Sequence, residues 1–178
     1  KLIMIKFFLD KLVSLIIIIL VSPILIAIAC INYLVDGLPI TYSSTRVGYK
    51  NNKFTIYKFR SMKNNSSEVL GKWGSFIRRT NLDELLQFFN VIKGDMSIIG
   101  PRPHDELEDI YFEKNIKRYH QRKVVKPGIT GLSAIKGNRG GTDLKNIRER
   151  VKYDLEYIKN QSFVLDCVIF FKTIILFF

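Results

Sequence analysis

The sequence predicts an α+β fold in two parts: an N-terminal re-entrant membrane helix hairpin, then a small, mainly helical domain with a β-hairpin and interfacial helices. Three observations lead to this prediction. A charge-free apolar run covers residues 12–35, two strand-like runs follow it, and much of the remaining chain shows helical spacing of apolar residues. We place the boundary between residues 1–36, the membrane helix, and residues 37–178, the membrane-associated domain.

The chain is strongly basic. Among its 178 residues, 28 are Lys or Arg and 16 are Asp or Glu, which gives a formal net charge of +12. Such an excess favours a polyanionic partner: nucleic acid, an anionic membrane surface or a phosphate-rich substrate. Cys30 and Cys167 lie in apolar runs, which indicates buried small side chains and not a disulfide framework.

The apolar run LVSLIIIILVSPILIAIACINYLV is long enough to cross a bilayer. Pro23 lacks an amide hydrogen and frees the carbonyl of Ile19, and Ser22 can bond back to a carbonyl one turn earlier; both favour a bend. Basic residues flank the run on both sides, and positive charge prefers the cytoplasmic face. We therefore predict a re-entrant helix that breaks at Ser22-Pro23. A simple transmembrane anchor and a cleaved signal peptide are the alternatives.

The segment after the apolar run predicts a β-hairpin. Gly37-Leu38-Pro39 ends the helix, and ITYSSTRVG and KFTIYKFRSM have the composition of strands around a turn. Their polar face would carry Arg46, Lys58 and Arg60, either as a solvated basic face or as a binding surface. Residues 63–74 are polar and predict a loop.

Two adjacent carboxylates, Asp83 and Glu84, stand at the predicted start of a helix whose apolar stripe extends to Ile92. One interpretation is a capping box, in which Asn81 caps the helix and Glu84 bonds back to it. The other is chemical, because a carboxylate at a helix N-terminus stays ionised and can attack phosphorus or bind Mg²⁺. Arg78, just upstream, can neutralise an incoming phosphate.

The turn Gly100-Pro101-Arg102-Pro103 follows the end of that helix at Gly94. The two prolines fix the backbone around Arg102 and hold its guanidinium at low entropic cost, which suits the binding of a diphosphate. A rigid turn with a surface arginine is the structural alternative.

The C-terminal half predicts amphipathic helices over residues 104–123 and 147–160. Residues 126–131 predict a turn with exposed amides. His104 and His120 are expected at the surface or at helix caps.

The last segments predict a loop and a helix. Residues 138–142 have the composition of a flexible loop. Asp166 and Lys172 interrupt the apolar residues 162–178, which predicts an interfacial or docked helix, with a second membrane span as the alternative.

Six motifs, in chain order, together resemble a known family: Ser22-Pro23, RVG, YKFRSM, LDELLQ, GDMSIIGPRP and KPGITG. They resemble the bacterial sugar transferases that are monotopic phosphoglycosyl transferases. The motifs cover nearly the whole chain, and their combination is highly specific. The later segments PRPH, RGGTD and ERVKYDLEYIKN are similar to undecaprenyl-phosphate glucose/galactose phosphotransferases that start exopolysaccharides.

The resemblance implies an enzyme that transfers a sugar-1-phosphate from a UDP-sugar to undecaprenyl phosphate. The products would be undecaprenyl-diphospho-sugar and UMP, formed through a covalent aspartyl-phosphosugar intermediate with Mg²⁺ as cofactor. The implied location is the bacterial inner (cytoplasmic) membrane, with the catalytic domain on the cytoplasmic face. The expected partners are UDP-sugar, undecaprenyl phosphate and membrane lipids but no nucleic acid, and a homo-oligomer is left open.

Carried over by motif, Asp83 matches the nucleophile, and we also expect it to bind the metal. Glu84 matches its partner in the pair. Arg78 matches the arginine that precedes the pair, and Arg102 matches a nucleotide-phosphate contact. Ser22-Pro23 matches the re-entrant break.

Lys58 and Arg60, for which the sequence shows no structural partner, complete the predicted substrate-binding set. Two segments depart from the family pattern: residues 132–137 replace a WAQVNG-like run, and Gly141 replaces a usual Glu. Both changes lie at sugar or loop positions that could distinguish one donor from another, so the identity of the donor sugar is left open.

Two other protein classes account for part of the sequence. A membrane-tethered nucleic-acid binder explains the net charge but leaves the carboxylate pair unexplained. The second class is a catalytically inactive scaffold for assembling glycan enzymes, but the intact pair argues against it.

Overall fold

A computed structural model of the protein describes residues 2–63, 68–138 and 143–177. Its helices and strands, in chain order, are α1 (Leu2–Asp36), β1 (Thr41–Val47), β2 (Lys53–Phe59), α2 (Gly71–Arg79), α3 (Gln87–Lys93), β3 (Ser97–Ile99), β4 (His104–Asp105), α4 (Glu106–Asn115), β5 (Gly128–Thr130), α5 (Leu132–Ile135), α6 (Leu144–Lys159) and α7 (Phe163–Phe177). Short 3₁₀ segments occur at Tyr49–Asn51, Leu82–Glu84 and Tyr119–Val124. The mixture of one long apolar helix with shorter helices and strands confirms the predicted class at that level.

The N-terminal helix α1 is continuous over 35 residues, with Pro23 inside it. Ser22 Oγ donates to the carbonyl of Ile19 at 2.8 Å. This is the carbonyl that Pro23 leaves without an amide donor, as the sequence indicated. Two separate helical arms are not distinguished, so the hairpin stays a prediction. Among the described residues, Met4–Asp36 is the one helix long and apolar enough to cross a membrane.

The N-terminal part of α1 is docked on the rest of the protein. Lys6 Nζ lies 2.7 Å from a carboxylate oxygen of Asp166 in α7. Asp10 is nearly buried and accepts a hydrogen bond of 2.6 Å from Ser97 Oγ in β3. These polar contacts hold this end of the helix beside the short strands.

The C-terminal part of α1 is docked as well. Asn32 is fully buried; it donates to the carbonyl of Arg60 at 2.9 Å and accepts a bond of 2.7 Å from Trp73 Nε1. Asp36 bonds the Arg60 guanidinium at 2.6 Å. The helix centre between the two docked ends carries exposed apolar side chains: Ile19, Leu20, Ile24 and Ile26.

The predicted β-hairpin is confirmed. β1 and β2 pair antiparallel from Thr41 opposite Phe59 to Val47 opposite Lys53. β4 adds to the other edge of β1, which gives a three-stranded sheet in the order β2-β1-β4. The loop predicted over residues 63–74 was wrong at its end, because α2 begins at Gly71.

The motifs GDMSIIGPRP and KPGITG lie side by side because β3 and β5 pair in parallel, with Ser97 beside Gly128. A Cβ added to Gly128 would overlap the amide nitrogen of Gly100, and a Cβ on Gly100 would overlap the carbonyl oxygen of Lys126. Only glycine fits at these two positions. The turn predicted over residues 126–131 was therefore wrong at its centre, which forms β5.

The helix predicted over residues 104–123 was also wrong in its second half. α4 ends at Asn115, Arg118 has a φ of 64°, and a 3₁₀ segment follows. The chain changes direction because Tyr119 and Arg122 turn into the core, where both are buried.

His104 was wrongly expected at the surface. It pairs with Val47 in the sheet and is 4 % exposed, with its ring 5.0 Å from that of Phe112. His120 is exposed, as expected. Both cysteines are free, and Cys30 is exposed, which contradicts its expected burial.

The C-terminal helices agree with their predictions. α6 covers the predicted helix and begins at Leu144, with the Asp143 carboxylate accepting from the amide of Asn146 at 3.0 Å. α7 is a helix docked on β5, where the hydroxyls of Thr130 and Thr173 lie 2.9 Å apart. The predicted loop at 138–142 lies outside the described residues except for its first member.

Candidate active site

The two adjacent carboxylates lie in the 3₁₀ turn Leu82–Glu84, between α2 and α3. Asn81, just before the turn, has a φ of 51°, and its side chain makes no capping bond. The long helix and the capping box were therefore wrong at this point. The turn directs the Glu84 carboxylate away from the backbone amides and towards two cations.

Glu84 is held by Arg102 and Lys58. Arg102 Nη2 and Nη1 donate to the two carboxylate oxygens at 2.6 and 3.1 Å, and Lys58 Nζ donates to Oε1 at 2.7 Å. The sequence showed no structural partner for Lys58, and the structure gives it one in Glu84, which also binds Arg102. Glu84 thus fixes one cation of β2 and one cation of the Pro-Arg-Pro turn at the same place.

The strand that carries Lys58 is itself tied to α3. The Asn90 side chain, which is fully buried, donates to the carbonyl of Thr55 at 2.6 Å and accepts from the amide of Tyr57 at 3.2 Å. These bonds imitate the pairing of a neighbouring strand. They fix the position of Lys58 relative to the turn that carries the carboxylates.

The electrostatic state of Glu84 follows from these bonds. Burial alone would raise its pKa, but the charges and hydrogen bonds of Arg102 and Lys58 outweigh burial and hold the pKa well below its usual range. Glu84 is therefore ionised throughout the physiological range and serves as the fixed counter-charge of two cations.

Asp83 has the opposite electrostatic environment. Its residue is 8 % exposed, and burial, followed by the charge of Glu84, raises the pKa of its carboxyl to about 6 against the opposing charges of Lys58 and Arg78. Within the described residues, no side chain donates a hydrogen bond to the Asp83 carboxylate. An ionised carboxylate with few hydrogen bonds in a desolvated place retains its nucleophilicity.

The predicted cations differ in their relation to the pair. Arg78 is exposed on α2, and its charge lowers the pKa of Asp83. Arg60 is instead buried at the end of α1, where its guanidinium bonds Asp36 and the carbonyl of Gly37 at distances of 2.6–3.0 Å. The structure therefore gives Arg60 a structural partner, because its donors hold the end of α1 in place, and its role in substrate binding stays a prediction.

A buried network supports the Pro-Arg-Pro turn from behind. Arg122 Nη2 donates to the carbonyl of Arg102 at 2.7 Å, and its guanidinium also bonds Asp154 at 2.7 and 3.0 Å. Both partners are almost fully buried. The turn is thus fixed to α6, and the Arg102 side chain, 42 % exposed, faces Glu84 and the cavity.

The charged cluster opens into a cavity of about 450 Å³. Its polar lining includes Glu84, Arg102, Ser133, Asn138 and Arg150. Its apolar lining comes from α1, α7 and the core: Ile17, Val21, Leu85, Phe88, Ile98, Ile129, Phe170 and Ile174. The cavity therefore joins a cationic environment, which suits a phosphate group, to an apolar one.

The donor set is compatible with a bound Mg²⁺ of the kind that proteins share with substrate phosphates. The described residues contain no group of three or more His, Cys, Asp or Glu placed to hold a metal. Mg²⁺ often binds through one or two carboxylates together with water and phosphate oxygens. Asp83 offers one such carboxylate, whereas the oxygens of Glu84 are already bonded to cations.

Sequence reasoning missed Arg122, Asp154 and Arg150. One signal was present: Arg150 and Asp154 are four residues apart on the same stripe of α6 as Ile147 and Val151, which are buried. Charged residues on the apolar stripe of an amphipathic helix indicate a buried ion pair or a site.

Comparison with known proteins places the whole chain within one family. A family model described as bacterial sugar transferase matches residues 2–178. The chain is 42% identical over 177 residues to a UDP-glucose:undecaprenyl-phosphate glucose-1-phosphate transferase of Klebsiella pneumoniae, covering 93% of this chain and 38% of the relative.

Two further relatives differ in name and length. A UDP-N-acetylgalactosamine-undecaprenyl-phosphate N-acetylgalactosaminephosphotransferase of Aeromonas hydrophila is 40% identical, over 93% of this chain and 41% of the relative. The exopolysaccharide production protein PSS of Rhizobium leguminosarum bv. phaseoli is 36% identical, over 86% of this chain and 85% of the relative. The chain thus spans about two fifths of the first two relatives and most of the third.

Proposed function

The chain belongs to the bacterial sugar transferase family, and from this premise we propose that it transfers a sugar-1-phosphate from a UDP-sugar to undecaprenyl phosphate. The proposed products are undecaprenyl-diphospho-sugar and UMP. The reaction would be the first membrane step in the synthesis of a surface glycan such as an exopolysaccharide.

One observation carries this proposal: the cavity combines the carboxylate–cation cluster with apolar walls from α1 and α7. A lipid phosphate needs both environments, since its isoprenoid chain is apolar and its head is anionic. A nucleic-acid binder would have no use for an apolar wall built by membrane-facing helices. The altered segment at residues 132–137 contributes Ser133 and Ala134 to the lining, which supports a role for it in reading the sugar.

The proposed mechanism uses Asp83 as nucleophile in two displacements. A carboxylate oxygen of Asp83 attacks the β-phosphorus of the UDP-sugar, the bond from that phosphorus to the bridging oxygen breaks, and UMP leaves. A phosphate oxygen of the acceptor then attacks the same phosphorus and releases the Asp83 carboxylate. The covalent intermediate divides one difficult transfer between two anions into two steps.

The neighbouring side chains prepare these steps. Arg102 and Lys58, fixed by Glu84, offer positive charge to the phosphates. Arg78 adds positive charge that acts on Asp83. We assign Glu84 the role of holding the two cations, which leaves Asp83 as the free carboxylate. Mg²⁺, when bound by Asp83 and the substrate phosphates, would screen the repulsion between nucleophile and diphosphate.

We further propose that α1 is re-entrant and that the catalytic domain lies on the cytoplasmic face of the inner membrane. Two contacts support this: Lys6 pairs with Asp166, and Asp36 pairs with Arg60, so both ends of α1 bind the same domain. Ser22 and Pro23 lie between those ends, beside exposed apolar residues. A helix that crossed the bilayer would present only one end to that domain.

The test is UMP release by the purified protein in detergent or nanodiscs, with Mg²⁺, undecaprenyl phosphate and a panel of UDP-sugars. The expected result is release with one or a few sugars, together with a lipid-linked diphosphosugar product. Incubation without acceptor should add the mass of one phosphosugar to the peptide that contains Asp83. Absence of UMP release with every UDP-sugar would count against the proposal.

A further inference from the structure

Two lysines from distant parts of the chain meet beside the N-terminal part of α1. Lys11 lies on α1, and Lys126 begins the KPGITG motif. Both ammonium nitrogens lie 3.7 Å from the position that a Cβ on Gly94 would occupy. The two lysines are not part of the cavity lining, and the proposed mechanism gives them no task.

The ammonium groups of these two lysines are not paired with carboxylates in the ranges 2–63, 68–138 and 143–177. The carboxylates whose charges act on Lys126 are those of Asp10 and Asp95. Asp10 lies 3.5 Å from the ammonium of Lys6, and Asp95 lies 3.2 Å from that of Lys93. The nearby acids are thus already shared with other lysines.

The environment of Lys126 favours an anion beside it. Its ammonium lies 4.0 Å from the centre of the Phe7 ring, a cation–π contact that holds it against α1. Burial, followed by the charge of Lys11, lowers the pKa of Lys126. A negatively charged group placed between the two ammonium groups would relieve their mutual repulsion.

The end of α3 accounts for only part of this arrangement. Gly94 is the C-cap of α3, and cations are stabilised near the C-terminus of a helix. A helix end carries the equivalent of about half a negative charge, however, and two full positive charges converge here. Room for a ligand with a full negative charge remains in this electrostatic balance.

The position of Lys11 along α1 identifies the kind of anion. Lys11 immediately precedes the charge-free run of residues 12–35. It therefore lies at the level of the lipid headgroups whether α1 re-enters or spans the membrane. Exposed apolar side chains of α1 stand next to it, namely Phe8, Leu12 and Leu15. Phosphate above and acyl chains below are the two parts of a phospholipid.

We propose that Lys11 and Lys126 form a binding site for the phosphate of an anionic phospholipid, whose acyl chains pack on the exposed apolar side chains of α1. Two ammonium groups can donate to different oxygens of one phosphate diester. A headgroup with a net negative charge is preferred, because the choline of a zwitterionic lipid would offset the attraction. The site is separate from the transfer reaction, and its occupation requires no turnover.

The test compares the double variant Lys11→Gln/Lys126→Gln with the matched control Lys152→Gln/Lys159→Gln. The control removes the same charge from two exposed positions of α6. Each purified protein in detergent is titrated with phosphatidylglycerol or phosphatidylcholine, and native mass spectrometry counts the lipids that it retains. Thermal unfolding measures the stabilisation by each lipid.

The wild type should retain phosphatidylglycerol more tightly than phosphatidylcholine. Each lysine near a headgroup should contribute roughly 5-fold to this affinity, so the double variant should lose roughly 30-fold for phosphatidylglycerol and little for phosphatidylcholine. The control should equal the wild type. Lys11→Arg/Lys126→Arg keeps both charges and should retain most of the preference. High salt should weaken the preference of the wild type.

Equal retention of the two lipids by the wild type would overturn the proposal, as would a double variant that matches the control. A double variant that is less stable in both lipids to the same extent, with its lipid preference unchanged, would show that the lysines only support the end of α3. If the double variant does not fold, Lys11→Gln alone decides, with a 5-fold loss expected. UMP release is not measured, so failure of the proposed reaction would leave this result unaffected.

Discussion

At the residue scale, the main feature is the contrast between two adjacent carboxylates. Glu84 is bonded to two cations, and its pKa lies well below the usual range, because Arg102 and Lys58 outweigh its burial. Asp83 is buried with fewer partners, and its pKa is raised to about 6. Neighbouring carboxylates whose pKa values are pushed apart indicate a division of roles, which the proposed mechanism assigns to a group that holds cations and a group that reacts.

The buried charge of Asp83 predicts that Asp83→Asn is more stable than the wild type at pH 7. The pKa of Asp83 rises from 3.8 to about 6 on folding, so stability falls as pH rises between these values and the deficit persists above pH 6. Removing the charge should raise the free energy of unfolding by roughly 1–3 kcal/mol. Denaturant unfolding in detergent measures it.

The same variant should have no UMP release and form no adduct, since an amide is not an anionic nucleophile. Glu106→Gln, which alters an exposed carboxylate paired with Lys53, is the control and should keep activity. A capping role for Asp83 predicts the reverse pattern: lost stability and retained turnover. Near-normal UMP release by Asp83→Asn would therefore exclude it as nucleophile.

The raised pKa of Asp83 also predicts the acid limb of the pH profile. Adduct formation should fall about tenfold per unit of pH below a pH of about 6, because protonation removes the nucleophile. Glu84 contributes no limb in this range, since its pKa is held far lower. Single-turnover adduct formation, measured between pH 4.5 and 8 with unfolding checked at each pH, gives the profile. A limb near pH 4 would show that Asp83 titrates as an ordinary carboxyl.

At the scale of elements, α1 determines how the protein sits in the membrane. Its two docked ends and exposed centre predict that both flanks lie on the cytoplasmic side. Met4→Cys and Asn52→Cys, made after replacing Cys30 and Cys167 by Ser, should be equally shielded from an impermeant thiol reagent in intact cells. Both should be labelled after permeabilisation.

Pro23→Ala provides the companion measurement. An alanine amide can bond the Ile19 carbonyl that Ser22 now satisfies, so the variant should favour a straight helix and increase labelling of Met4→Cys in intact cells. Ile24→Ala, one residue later, is the control and should leave labelling unchanged. Labelling of Met4→Cys without the Pro23 change would show that α1 spans the bilayer.

The other elements show why the ends of helices were harder to predict than the presence of the helices. The hairpin β1–β2 and helix α6 follow from alternation and helical spacing within one stretch of chain. The end of α4 and the 3₁₀ segment Tyr119–Val124 do not, because Arg122 leaves the helical path to bond Asp154 and the Arg102 carbonyl. Partners far along the chain outweigh local helix propensity.

At the scale of the whole molecule, the cavity brings the apolar helices α1 and α7 together with the charged cluster. Val21 of α1 lines it, whereas Ile19 is 63 % exposed and does not. Val21→Trp should fill the apolar part and slow discharge onto undecaprenyl phosphate by roughly 10- to 100-fold, the effect of 1.5–3 kcal/mol of overpacking. Adduct formation from UDP-sugar should change little.

Ile19→Trp is the matched control and should discharge its adduct at the wild-type rate. Equal slowing of both steps by Val21→Trp would mean that the substitution disturbs the catalytic cluster itself. Equal discharge by the two tryptophan variants would mean that the acceptor does not use this part of the cavity.

The sequence by itself determined what depends on short-range patterns and on recognisable motifs. The long apolar helix, the hairpin, the helices α6 and α7 and the carboxylate pair with its nearby arginines could all be identified, and the motif order indicated the family. These features are encoded in consecutive residues: a run without charge, an alternation, a glycine before a proline.

Only the tertiary structure decided which charges meet. Glu84 takes its partners from β2 and from the Pro-Arg-Pro turn, Arg60 is drawn to the end of α1, and Arg150 enters the cavity from α6. A buried charge is stable only where opposite charges and hydrogen bonds converge on it, and that convergence depends on segments distant in sequence. The roles of individual cations are therefore set by packing, which a linear pattern does not contain.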